Sequence, residues 1–487
     1  MLKKFMVLLL SAVMVLSLAA CGAKTEETKA TQATEAPKAG ETTATATVEV
    51  APGSNKSASG ETDKDVYIDI WGVYAQDNYR TEFIMEMADE FCKQYEAETG
   101  ISVCIEYFNQ DDYAGSATKL AAGAVSGNLP VLSQISSQNS PAFEDLCADL
   151  RDYMDADVLD NYLDGLMVGN YNKETGKVFG VPGGRSFGCY IVNMDLIEQA
   201  GYTEEDVKTW DYAKFHEIMA AVAALGDEYN GCALWWDTDA WMWESALYSN
   251  GGSIDNEDAT QITFTENNAG AIFLDLVEEM VKDGSMLDLY IDMGYKEVGD
   301  AATVEFMTGN LACRMASITT YGGIKQQMAE LPEDQQFNVV ITNQPAGVGG
   351  FSMVTGGNNF LFLDGSTETQ KQVAAAFLAF MAQDEYVAEW NQLSGYMAFT
   401  KSVYESEAYQ KVLEDPNMAF LSEGIQYAHA RANTLNWAEM RSEIMQGLDA
   451  FSRDIDGYKA EHGGSTTSIV QEWADMCQKI MDEHAND

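Results

Sequence analysis

The sequence predicts an α/β protein built as more than one compact unit, and three observations carry that expectation. Short apolar-alternating segments take turns with longer segments of helical period, the pattern of a mostly parallel sheet with helices on both faces. About 420 residues follow a low-complexity N-terminal stretch, more than one core normally holds. Midway, Gly183-Gly184 belongs to a Gly/Pro-rich segment that leads into a β-branched strand, as a chain segment crossing between units would.

The N-terminus opens with Lys3-Lys4, then an apolar run from Phe5 to Leu16 that is short for a membrane span. It ends in Leu18-Ala19-Ala20-Cys21-Gly22. This arrangement resembles a bacterial lipobox, which implies a signal peptide over 1–20, lipid attachment at Cys21 and an extracytoplasmic protein anchored to the cell membrane by lipid. Residues 21–64 are rich in Thr, Ala, Glu, Lys and Ser with almost no large apolar side chain, so they are expected to form a disordered tether. A relaxed coil of that length spans roughly 35 Å.

The chain carries 77 acidic against 28 basic residues, a net charge of −49. Nucleic acid and anionic headgroups are recognised by basic patches, so both are excluded as partners. Eight cysteines include no C-x-x-C pair, which removes zinc and thioredoxin-like chemistry. A Cys92–Cys104 disulfide is left open. No H-E-x-x-H or Walker pattern occurs, and no metal or cofactor is implied.

In order, Val66–Trp71 alternates as a strand, and Thr81–Glu98 places Phe83, Ile84, Met87, Ala88, Phe91 and Tyr95 on one helical face closed by Gly100. Ser102–Phe108 is a second strand, Tyr113–Val125 a second helix, and Leu132–Ile135 lies in a third strand. Ligands of such sheets bind beyond the carboxyl ends of the strands, here Gly72–Asn78, Asp111–Tyr113 and Ser136–Asn139. The segment from Gly180 leads into the β-branched Tyr190-Ile-Val192, and a helix follows Thr209-Trp210-Asp211. Leu234 to Gly252 contains four tryptophans in nine positions, interleaved with Asp237, Asp239 and Glu244. Aromatic faces beside carboxylates suit a sugar ring, whose C–H faces stack and whose hydroxyls donate hydrogen bonds. The remainder alternates helices (269–282, 298–307, 367–382, 385–392) with strands near 308–317, 337–341 and 359–363.

Several pieces in order then resemble the extracellular solute-binding proteins of carbohydrate ABC importers, in the branch of maltose-type and glycerol-3-phosphate-type binders. They are Gly127-Asn-Leu-Pro130, Val181-Pro182, Asn193-Met-Asp195-Leu, Asn250-Gly-Gly252, Phe306-Met-Thr-Gly309-Asn-Leu-Ala312, Gly356-Gly357 and Ser394-Gly-Tyr396. The resemblance implies a two-lobed periplasmic-binding-protein-like fold of type II, with hinge crossovers and a ligand cleft between the lobes. One lobe would comprise 65–182 and 346–385, the other 186–345 and 386–487. It implies a monomer that captures a sugar and delivers it to permease subunits, with glycerol 3-phosphate or a glycerophosphodiester as the alternative ligand. Carried over position by position, the contacts implied are Tyr74, Gln76, Gln138 and Asn139 from the first lobe, Ser186 from the crossing, and Asp239, Trp241, Tyr321, Tyr396, Arg431 and Trp437 from the second.

A catalytic reading competes at the crossing, where Gly184-Arg-Ser186-Phe-Gly188 fits G-x-S-x-G, the elbow of a serine nucleophile and so of a surface carbohydrate esterase. That elbow requires a strand-to-helix turn and a histidine base. The motif instead runs into strand-like Cys189-Tyr-Ile-Val, and none of His216, His429, His462 and His484 lies in a context that suggests a base. Binding is therefore the expectation, and catalysis is not.

Overall fold

Two long antiparallel strands join everything else. In the computed structural model, which describes residues 63–236, 240–424, 427–429, 431 and 437–484, β4 (Gly180–Asn193) and β9 (Met353–Phe362) pair from Gly180↔Leu361 to Phe187↔Thr355. The leader, Cys21 and the tether as far as residue 62 lie outside the described residues, as do Asp237 and Asp239.

On one side of this pair lie β1 (Val66–Gly72), β2 (Val103–Asn109) and β3 (Leu132–Ser136), in the order β2-β1-β3-β9. β1 runs parallel to both neighbours, and β3 meets β9 antiparallel. On the other side β4 continues into β7 (Leu311–Ser317), then β5 (Asn230–Ala233) and β6 (Met286–Leu287). There β8 (Val339–Thr342) also pairs with β4, and β10 (Ala428–His429) with β9. Parallel neighbours need crossover helices, and the sequence supplies them.

Helix α1 (Tyr79–Thr99) begins at Asn78, whose side chain accepts from the Arg80 amide, and stops at Gly100 with φ 75. It buries Phe83, Ile84, Met87, Ala88 and Phe91, the face its period dictates. Helix α2 (Tyr113–Ser126) is capped by Asp112 on the Gly115 amide and closed by Gly127. In the second half, α3 (Tyr212–Ala223), α4 (Trp241–Ser249) and α5 (Ala269–Asp283) pack with the C-terminal α9 (Trp437–Arg453) and α10 (Thr466–Glu483) around a core of Trp210, Trp236, Trp243 and Trp473. Helices α7 (Glu368–Met381) and α8 (Asp384–Ser394) pack on α1. The segment after α8 hydrogen-bonds to residues 160–164, through Leu163 N–H to Phe399 O and Lys401 to Asp164. Cys92 is a free thiol, so a Cys92–Cys104 bridge does not form. No helix among the described residues is long and apolar enough to cross a membrane.

The expected segments are present, with one difference of kind. Gly183-Gly184 is expected as a flexible crossing, yet it lies inside the continuous strand β4, as Gly356-Gly357 does inside β9. The irregularity they permit is a register shift between Pro182 and Gly184.

Candidate functional site

The floor of the site is this glycine crossing, and glycine is required there. Gly357 has φ 105, and a Cβ on it would sit 2.0 Å from the Gly184 carbonyl oxygen. A Cβ on Gly184 would meet Tyr396 and the Tyr74 hydroxyl at 2.9 Å. Bare backbone at both positions lets aromatic side chains close directly over the strands.

Tyr74 follows β1, and its backbone N–H donates to the Tyr107 hydroxyl at 2.9 Å. Its own hydroxyl accepts from Asn358 Nδ2 at 2.7 Å, and the same nitrogen donates to the Tyr113 hydroxyl at 3.3 Å. The Asn358 carbonyl oxygen in turn accepts from Gln134 Nε2 at 3.2 Å, which fixes the amide's orientation. Tyr396 stacks on Trp390 with centroids 5.7 Å apart and lies 6.4 Å from Tyr74. Burial, followed by the neighbouring Tyr396, pushes the phenols of Tyr74 and Tyr113 well above their ordinary range, so both stay protonated and can donate as well as accept.

From the other side comes Trp241, the first residue of α4. Its indole N–H donates to the Val354 carbonyl at 2.5 Å, and its ring lies 3.2 Å from where a Cβ on Gly356 would sit. Ser186 pairs with Gly356 across the ladder and is 5 % exposed. Strand alternation puts Ser186 on the same face as Gly184, and Arg185 on the opposite face. One turn along α4, the buried Glu244 holds Arg431, with Nε to Oε2 at 2.7 Å and Nη2 to Oε2 at 2.5 Å.

Of the residues expected from sequence, Tyr74, Ser186, Trp241 and Tyr396 thus gather at the crossing. Arg431 lies against α4 as the partner of Glu244. Gln138 accepts from Arg441 Nη1 at 3.3 Å, and Asn139 begins a 3-10 turn. Gln76 is solvent-exposed. Tyr321 is placed elsewhere: Asn417 donates to its hydroxyl at 3.0 Å and that hydroxyl reaches Asp415 at 3.2 Å, lining a cavity of about 610 Å³ with Lys325 and Lys411. Trp437 is 2 % exposed, among the core side chains of the second half. Asp239 is outside the described residues. Two members of the cluster were not nominated individually. Tyr113 lies in the strand-end segment Asp111–Tyr113 that topology singles out. Asn358 has no local signal, because only its place on β9 brings it between two tyrosines.

Among the described residues no hydrolytic centre forms around Ser186. It lies within β4 rather than at a turn into a helix. His216 is paired with Asp283, His462 with Glu472 and His484 with Glu439, while the His429 ring stacks on Tyr248.

Comparison with known proteins agrees with this architecture. Residues 90–419 match the family model described as bacterial extracellular solute-binding protein. The sn-glycerol-3-phosphate-binding periplasmic protein UgpB of Escherichia coli K12 is 25 % identical over 244 residues, 48 % of this chain and 52 % of the relative. The match thus spans about half the length of this curated relative. Among solved structures, the sugar-binding protein MalE of Xanthomonas citri superposes with a TM-score of 0.70 at 16 % identity, covering 86 % of this chain and 98 % of that one. UgpB of Mycobacterium tuberculosis in complex with glycerophosphocholine gives 0.67 at 17 %, again over 86 % and 98 %. The cyclic alpha-maltosyl-1,6-maltose binding protein of Arthrobacter globiformis gives 0.66 at 19 %, over 85 % and 98 %. The fold is that of the two-lobed MalE-like binding proteins. With 330 consecutive positions (90 to 419 inclusive) inside the family model, this chain belongs to the bacterial extracellular solute-binding protein family, whose members bind solutes rather than transform them.

Proposed function

We propose that the protein is a receptor that captures a sugar at the crossing and delivers it to the permease of an ABC importer. The observation that carries this reading is the gathering of Tyr74, Tyr113, Tyr396 and Trp241 over bare glycine backbone, with the Asn358 amide and the Ser186 hydroxyl among them. Aromatic rings beside neutral hydrogen-bonding groups fit an alternation of C–H faces and hydroxyls. The lobes are 65–182 with 346–385 and 186–345 with 386–487, joined at β4 and β9, except that residues 386–401, expected in the second, pack on the first through α8 against α1 and Leu163 N–H to Phe399 O. Ligand contacts from both lobes coexist only when the lobes are closed, so ligand shifts the population toward closure. After removal of a signal peptide over 1–20, a lipid on Cys21 and a tether as far as residue 64 hold this monomeric body at the cell membrane.

Glycerol 3-phosphate or a glycerophosphodiester is the second reading, since the named relatives include binders of both. Against it stands the Arg431–Glu244 pair: the carboxylate occupies the guanidinium edge that a phosphate in that region would use. Calorimetry of the full chain in detergent, with glucose, maltose, maltotriose, glycerol 3-phosphate and glycerophosphocholine, tests the proposal, with each recovered ligand analysed afterwards. Saturable binding of a sugar that is recovered unchanged is the expected result. Binding of the glycerol phosphates alone, or turnover abolished by Ser186→Ala, would overturn it.

A further inference from the structure

Arg80 is unusual in a chain with 77 acidic residues: among the described residues no carboxylate lies within ion-pair reach of it. It is the second residue of α1, where the backbone N–H groups of a helix start add positive potential. Its guanidinium carbon lies 4.7 Å from the Tyr79 ring centroid, 5.3 Å from that of Tyr396 and 5.7 Å from that of Tyr74. Three aromatic rings hold the plane in place while consuming none of its N–H donors in full. Nη2 donates to the Ser394 carbonyl at 3.3 Å, and Nε is buried without a hydrogen-bond partner. The outer N–H edge remains to serve a further acceptor beside the two tyrosines of the crossing.

A second cation lies below the floor. Arg185 is 2 % exposed, and its guanidinium meets only neutral oxygens, Asn359 Oδ1 at 3.3 Å and Thr355 Oγ1 at 3.4 Å, with Nε again unpartnered. The Tyr113 hydroxyl lies within electrostatic reach of both arginines. In a low-dielectric setting such charges act at a distance, and among the described residues no carboxylate is paired with either arginine, whereas Arg431 is offset by Glu244.

We infer that the ligand is an acidic sugar whose carboxylate is received by Arg80 between Tyr74, Tyr79 and Tyr396, with Arg185 supplying positive potential from beneath the crossing. This rests on the sugar reading above and names the class of sugar. A carboxylate accepts two parallel N–H donors from one guanidinium edge, which a neutral hydroxymethyl group at the same ring position cannot do.

The test is calorimetry of the full chain in detergent with matched pairs, glucuronate against glucose and galacturonate against galactose, plus glucose 1-phosphate. Each acid is expected to bind at least about tenfold more tightly than its neutral parent, and the preference to shrink as salt is raised. Arg80→Gln should remove about tenfold from the acids and leave the neutral sugars within about twofold; Arg80→Lys should restore part of the preference. A thermal melt confirms that each variant is folded. Neutral sugars binding as tightly as the acids would overturn the inference, as would Arg80→Gln weakening both members of a pair equally, the signature of a role confined to the α1 and α8 ends. Tighter binding of glucose 1-phosphate than of either uronate would overturn the carboxylate and leave the sugar reading standing. If no sugar of any kind binds, the sugar reading itself falls.

Discussion

At the residue scale, Trp241 does two things at once. Its indole N–H ties α4 to the Val354 carbonyl, and its ring lies against Gly356 beside Ser186. Trp241→Ala should weaken sugar binding by ~1–3 kcal/mol, the range of truncated aromatic anchors. Trp241→Phe, which loses the N–H donor and part of the ring area but keeps an aromatic face, should cost less; equal losses would mean that an aromatic face alone does not carry the effect. Asp69 is a residue of another kind. Burial raises its carboxyl from the usual 3.8 to about 6, although the Val131 amide donates to it at 2.9 Å. Between those values the folded protein retains a proton that the unfolded chain releases, so stability falls as pH rises through this window, and the full cost is present above about 6. Asp69→Asn, which keeps the acceptor for Val131, should therefore raise the melting temperature near pH 7.5 and have little effect near pH 3.5. The gain is bounded at about 3 kcal/mol by the size of the shift. A gain independent of pH would show that the carboxyl titrates normally.

At the element scale, β4 and β9 decide whether a site exists at all. Gly357 adopts φ 105 and approaches the Gly184 carbonyl so closely that a methyl group would lie 2.0 Å from it. Gly357→Ala should cost about 2–4 kcal/mol in chemical denaturation, combining left-handed strain with backbone displacement. Gly184→Ala offers a contrast, because its methyl would meet side chains, Tyr396 and Tyr74, at 2.9 Å. These can shift, so the variant should lose affinity by more than it loses stability. The reverse ordering in calorimetry and denaturation would place the tyrosines outside the binding surface. The helices on this frame were largely legible from sequence. Phe83, Ile84, Met87, Ala88 and Phe91 define the buried face of α1, and Thr367 with Gln370 forms the capping box that starts α7. The glycine-rich stretches were less so. Glycine reads as a break by local propensity, while here pairing with a partner strand far away in sequence holds it extended.

At the scale of the whole molecule, the proposed closure would draw on contacts between the two proposed lobes. Arg441 of α9 donates to Gln138 at the end of β3, and the two residues are 303 positions apart. Gln138→Ala should lower affinity for sugar by about 0.5–1.5 kcal/mol, the usual net value of one hydrogen bond, with the melting temperature of the unliganded protein unchanged. Small-angle scattering should then show a smaller ligand-induced compaction at equal sugar concentration. An unaltered scattering change and affinity would remove this contact from the closure mechanism. Tyr321 and Trp437 show where reading by resemblance reaches its limit. A shift of one or two positions along a helix rotates a side chain from cleft to core, and Trp437 is buried among second-half core residues while Tyr321 bonds to Asp415 and Asn417.

By itself the sequence determined the α/β alternation and the helical faces, because each follows from residues close together in the chain. It also named the strand ends from which Tyr74 and Tyr113 come, since parallel topology places ligands there. Only the tertiary structure decided that Asn358 bridges those two tyrosines, that Glu244 takes Arg431, and that Arg80 has aromatic neighbours and, among the described residues, no acid. Those are distances between residues up to 316 positions apart, as from Arg80 to Tyr396 (396 − 80), and they exist only once the chain has folded back on itself.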